Sequence, residues 1–95
     1  MDIEFEWDEQ KAAINLVKHG VSFLTASAVF KFETVERPDD REEYGELRIV
    51  ALGLVDLTVY RVTYTPRGEN TIRIISAQRA GRDEQNIYYR ETFSP

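Results

Sequence analysis

Hydrophobic and polar positions alternate at the start of this chain, with Ile3, Phe5 and Trp7 set between Asp2, Glu4 and Glu6, and this two-residue repeat predicts a strand. Asp8 then reads as a helix N-cap, its carboxylate able to accept from the free amides of the first turn, with Glu9 near the positive end of the helix. From there to about His19 the spacing becomes helical. Ala13, Leu16, Val17 and Gly20 recur at three- and four-residue steps as the expected buried face, and Lys11, Asn15 and Lys18 lie off it. Gly20 can close the helix in the left-handed conformation, and Lys18 and His19 meet the unpaired carbonyls of the last turn. Ser22 caps a second helix through about Phe30, with Phe23, Ala26 and Phe30 inward, and the two helices are expected to form a hairpin.

Beyond Phe32 the period changes again. Glu33 to Glu36 reads as a short strand, Pro38-Asp39-Asp40 as a turn, and the polar stretch through Gly45 as a loop. Leu47 to Leu52, Leu57 to Tyr64 and Thr71 to Ala77 are rich in Val, Ile, Thr and Tyr and predict strands. The short connectors, Gly53 to Asp56 and Pro66 to Asn70, favour antiparallel neighbours. A last helix is expected over about Arg82 to Arg90. The order β, α, α, β, β, β, β, α predicts an α+β fold, with a helix pair segregated against one antiparallel sheet. At 95 residues the chain is long enough for one such domain and one modest core.

Composition removes several kinds of chemistry. With no cysteine there is no disulfide, thiolate metal site or cysteine nucleophile, and with one histidine there is no multi-histidine metal centre. No cofactor or metal is expected. No apolar run has the length of a membrane span, and the N-terminus alternates acid with hydrophobe, so a cytoplasmic location away from membranes is expected. The net charge of −5 is unevenly spread. Residues 1–46 hold five Lys/Arg against twelve Asp/Glu, whereas residues 47–95 hold seven arginines against five acids. Arginine offers a fork suited to phosphate oxygens, but it is also an ordinary salt-bridge partner on a strand, and charge alone slightly favours the salt bridge.

Three blocks, read in order, resemble the BrnT family, bacterial type II toxins related in fold to RelE and ParE. They are Trp7-Asp8 with Lys11, Asn15, Lys18-His19-Gly20-Val21 and Phe23; Glu46, Arg48 and Gly53; and Arg73-Ile74-Ile75-Ser76-Ala77 with Ala80 and Glu84. The resemblance spans nearly the whole chain. It implies a RelE-like domain that cleaves RNA without metal and inhibits translation. The implied partner is a BrnA-like antitoxin with a ribbon-helix-helix part, through which the pair reaches operator DNA. The chain departs from the family at the end of the last strand, where a dense basic run is usual. Gln78 stands for an arginine, Gly81 for Thr or Asn, and Asp83, Gln85 and Asn86 for further cations.

Metal-free RNA scission needs a base for the 2′-hydroxyl, cations for the phosphorane and an acid for the departing 5′-oxygen. Glu46 is a candidate base, Arg48 and Arg79 are candidate phosphate ligands, and His19 is the one residue of the type whose ordinary pKa is near neutrality. Lys18, Tyr64, Arg73 and Arg82 are candidate RNA contacts. Each residue also has a structural reading. Glu46 is then a solvated loop carboxylate, His19 a helix cap, Arg48 a stem lying along the Val50 and Leu52 face, and Arg73 a cross-strand ion-pair partner. Arg79 differs in standing at the junction of a strand and a helix start, where amides favour anions. Tyr88-Tyr89 can stack bases, but adjacent helix residues point apart, so one is expected to pack on the sheet. A second class stays open: a degenerate member that binds the antitoxin and regulates its promoter without catalysis. No residue argues for a ParE-like action on gyrase.

Overall fold

The β-branched segments of the second half form three long antiparallel strands, to which the first half adds one strand at each edge. The computed structural model describes residues 2–93. In chain order the elements are β1 (Glu4–Glu6), α1 (Glu9–His19), α2 (Phe23–Ala28) running into a single 3₁₀ turn (Val29–Lys31), β2 (Thr34–Pro38), β3 (Ile49–Val55), β4 (Thr58–Arg67), β5 (Thr71–Arg79) and α3 (Arg82–Phe93). The sheet order is β1-β5-β4-β3-β2. β1 runs parallel to β5, with Glu6 opposite Arg73, and all other pairs are antiparallel. A parallel neighbour requires a long connection, which here comprises both N-terminal helices and three strands. β3, β4 and β5 outrun their expected ends because side-chain pattern marks where strands are half-buried, whereas pairing continues to the turn. Asp56-Leu57 alone joins β3 to β4, with Asp56 at φ 55°.

Alternation along β4 divides the core between the two faces. Val62 lies with Ile74, Ala77, Phe23, Ala26 and Val29 beneath α1, α2 and the 3₁₀ turn, with Tyr60, Phe5 and Trp7 packed around them. Val59 lies with Leu52, Ala80 and Tyr88 beneath α3. An extra residue in β5, opposite Thr63/Tyr64, restores the inward set at Ile74, which pairs with Tyr64. Gly53 is fixed by contact on the helical side: a Cβ there would stand 2.7 Å from the Val29 Cβ.

Two expectations are corrected. The helices do not form a hairpin; their axes turn through 93° at Gly20-Val21-Ser22, so α1 and α2 form a corner and each packs on β5. Gly20 makes the corner, adopting φ 70° and donating its N–H to the Leu16 carbonyl at 2.9 Å. The burial of α1 is also the reverse of its hydrophobic pattern, because Asn15 is its buried residue while Ile14, Leu16 and Val17 face outward. Asn15 Nδ2 donates to the Val21 and Ala77 carbonyls at 2.9 and 2.8 Å, and its Oδ1 accepts from the Ala77 N–H at 3.1 Å. One amide thereby pins helix, corner and strand. No single helix among the described residues is long and apolar enough to cross a membrane.

Candidate active site

The first cluster of chemistry lies where α1 and β5 end together. Asp8 caps α1 through the Gln10 and Lys11 amides at 2.8 and 3.1 Å, and the Arg73 charge helps to hold its carboxyl below the usual range, after the Lys11 amide bond. With Asp8 near the Arg73 level and Asn15 bonded to Ala77, α1 runs alongside β5 in the strand's own direction. His19 lies about 6 Å past Asn15 along the helix, and Arg79 about 7 Å past Ala77 along the strand. Arg79 has the parity of Ala77 and pairs with Tyr60, so it leaves the sheet on the helical side. Lys18 and Arg79 are exposed and His19 half-exposed. Neither Lys18 nor Arg79 has an ion-pair partner among the described residues. Arg82 opens α3 three residues on, also exposed and without such a partner among those residues.

Glu46 and Arg48 belong elsewhere. Gly53 and Arg79 both pair with flanking positions at Tyr60, so Arg48 precedes the Arg79 level by five residues of β3. That is about 16 Å along the strands and about 10 Å across two strand spacings, more than two side chains span to reach one phosphate. Arg48, expected along the Val50 and Leu52 face, is instead gathered into the loop before β3. Its Nε is 3.2 Å from Glu46, and its guanidinium lies 3.9 Å over the Tyr44 ring. The loop is organised by Asp39, a residue the sequence marked only as part of a turn. Buried at 8 % exposure, it receives Arg41 at 2.8 and 3.0 Å and Tyr44 at 3.4 Å, and its N–H donates to the Arg48 carbonyl. Arg41 holds the Asp39 carboxyl below its ordinary value.

Two further candidates occupy structural positions. Tyr64 is buried, edge-on to Phe30 at 5.3 Å, and donates its hydroxyl to Glu36; burial and then Glu36 raise its pKa above the ordinary phenol value. Arg73 pairs with Glu6 at 2.7 Å across the β1–β5 edge. On the opposite face of the sheet, α3 and β2 border a groove of about 220 Å³ over Val50, Leu52 and Ile87, with Arg37, Arg41 and Arg61 along it. Its arginines are already neutralised. Arg37 meets Glu91 at 2.5 Å, and Arg61 Nε lies 3.3 Å from Glu84, in a direction that makes no hydrogen bond. Glu84 is shared, since its other oxygen accepts the Gly81 N–H at 3.0 Å, which makes Gly81 the N-cap of α3 and Glu84 the returning arm of a capping box. Arg61 stands directly opposite Gln78, so the sheet carries a cation beside the position where the sequence lacks one. The meeting of Arg61 with Glu84 is not legible in the sequence, because it depends on α3 folding back over the sheet. Among the described residues no three His, Asp or Glu side chains cluster as metal ligands.

Residues 7–84 match the sequence profile of a family described as ribonuclease toxin, BrnT, of type II toxin-antitoxin system. The chain belongs to the BrnT family. The same fold is found in the 1.1 Å crystal structure of the Brucella abortus ribonuclease toxin BrnT, which is 28 % identical, with a TM-score of 0.68 over 84 % of this chain and 99 % of that one. No curated protein matches the chain. The part that matches the BrnT profile includes His19, Arg48, Arg61, Arg79 and Glu84, and it leaves out β1 and most of α3. Membership of a family of type II toxins implies an antitoxin partner.

Proposed function

We propose that this BrnT-family chain is a metal-independent endoribonuclease that inhibits translation in the cytoplasm until a BrnA-like ribbon-helix-helix antitoxin silences it, the pair binding operator DNA through the antitoxin. The observation that carries the proposal is the pair of hydrogen bonds between Asn15 and Ala77, which sets the end of α1, with Lys18 and His19, beside the end of β5, where Arg79 has no ion-pair partner among the described residues while Arg37, Arg61 and Arg73 each hold a carboxylate. In this reading His19 accepts the proton of the 2′-hydroxyl, and the oxygen's electron pair attacks phosphorus. Arg79 holds the crowded phosphorane through charge-assisted hydrogen bonds. The bond to the 5′-oxygen then breaks, Lys18 gives that oxygen a proton, and a 2′,3′-cyclic phosphate remains. Arg82 extends the cationic strip for the next phosphate. Glu46 and Arg48 lie too far away to share this centre, and their role is to contact a flanking part of the RNA.

The test is controlled expression in a bacterial host with RNA fragments followed at matched protein levels. Arg79→Ala and His19→Ala are expected to lower cleavage at least a hundredfold, with Glu46→Gln within a fewfold of wild type. Loss in Glu46→Gln with activity kept in His19→Ala would move the centre to the loop before β3. A second reading, a partner protein without catalysis, has its own support in Gln78 and in the acids that neutralise Arg37 and Arg61. It predicts antitoxin binding, no arrest and no fragments from soluble wild-type protein.

A further inference from the structure

The outer surface of α1 has no structural use within the chain. Ile14, Leu16 and Val17 are 65, 50 and 88 % exposed, and Leu24 at the start of α2 is 72 % exposed. A helix normally turns such residues inward, and α1 instead buries Asn15. At about 100° per residue, Leu16, Ala13, Val17 and Ile14 form one continuous band, and Lys18 and Lys11 follow Ile14 along one border of it. The 93° corner adds relief: Leu16 and Leu24 wall a notch of about 290 Å³ floored by Trp7 and Phe23. Lys11 and Lys18 make no ion pair among the described residues, so both are available to a partner.

We propose that this band and notch are the docking surface for the antitoxin, and that the docking segment carries an apolar stripe bordered on one side by acids. The proposal rests on the toxin–antitoxin reading above and adds the surface and its chemistry. An aliphatic or aromatic side chain of the segment fills the notch, others cover Val17 and Ile14, and its acids meet Lys11 and Lys18. Charge complementarity selects this occupant: a second copy of the chain would bring the same lysines to the same border. The surface also explains silencing by position. Val17 precedes Lys18 and His19, so a segment lying on the band covers the approach to the His19 and Arg79 end.

The experiment uses the full chain and a BrnA-like antitoxin, with affinity measured for wild type, Val17→Asp, Leu24→Asp and Lys11→Glu. The control is Leu57→Asp, which makes the same change at a residue 93 % exposed in the β3–β4 turn. Val17→Asp and Leu24→Asp are each expected to weaken binding tenfold or more with unchanged thermal midpoints. Lys11→Glu is expected to weaken it and flatten its salt dependence, and Leu57→Asp to bind as wild type does. Free Val17→Asp should cleave RNA as the wild type does. Wild-type affinity in both band variants would overturn the proposal, as would a wild-type dimer that Val17→Asp converts to monomer, since that gives the band to a second copy. Failure of the wild type itself to bind the antitoxin would remove the toxin–antitoxin reading, and the surface with it.

Discussion

Asn15 occupies a place usually held by an aliphatic side chain, and its three hydrogen bonds show why. The chain turns sharply after Gly20, so the Val21 carbonyl and both polar groups of Ala77 come together under α1 without strand or helix partners for all of them. A buried backbone group left unpaired costs about 1–3 kcal/mol. Asn15→Ala is therefore expected to destabilise by about 3 kcal/mol, and Asn15→Leu by no less, both read as lower urea midpoints at constant slope. Asp39 gives a pH signature. Its folded pKa lies below the ordinary 3.8, so its contribution is complete above that value and is lost as pH falls through the folded pKa. As pH falls below the ordinary 3.8, wild type should lose thermal stability more steeply than Asp39→Asn, for which the Arg41 contact no longer titrates.

Elements meet through side chains that sequence patterns do not pair. Gly53 is an ordinary strand residue by sequence, yet the 3₁₀ turn after α2 sits on it so closely that a methyl group would strike Val29. Gly53→Ala is expected to cost about 1–3 kcal/mol through overpacking. Val29→Ala in the same chain should recover part of that loss, which a double-mutant cycle in urea would measure as a favourable coupling. At α3 the composition was legible, with Asp83 and Glu84 in the first turn as expected of a helix start. The ion pairs to Arg61 and Arg37 were not, because they join residues 23 and 54 positions apart in the chain. Tyr88 packs on the sheet while Tyr89 stays largely exposed, as the opposed directions of helix neighbours require.

Across the whole molecule, the acidic and basic halves of the sequence do not become acidic and basic faces. Arginines of the basic half reach acids of both halves, including Glu6, Glu46 and Glu84, whereas Lys18 at the end of α1, Arg79 at the end of β5 and Arg82 at the start of α3 make no ion pair among the described residues. In the proposed function, Arg79, Arg82 and Lys18 would engage about three phosphates, so the logarithm of affinity should fall with that of salt at a slope of about −2 for single strands. A filter-binding series from 50 to 200 mM salt, a range chosen on the order of physiological ionic strength, checks this. A slope near zero would remove the strip as a phosphate path, and a slope steeper than about −4 would mean that the paired arginines also engage.

The α+β class, the element order, the caps at Asp8, Gly20 and Ser22, and the family are all legible in the chain. These depend on local periodicity, on backbone groups that need partners within a few residues, and on motifs read in order. Tertiary pairing was needed to fix which side of α1 is buried, that α1 and α2 turn a corner, that Tyr64 belongs to the core, and that Asn15 sets the end of α1 beside the end of β5 while Arg48 is gathered into the loop before β3. Those outcomes follow from which strands become neighbours and from single side chains, Asn15 foremost, that satisfy backbone groups up to 62 residues away. Hydrophobic pattern ranks the faces of an isolated helix; the hydrogen bonds available at its place on the sheet decide which face is used.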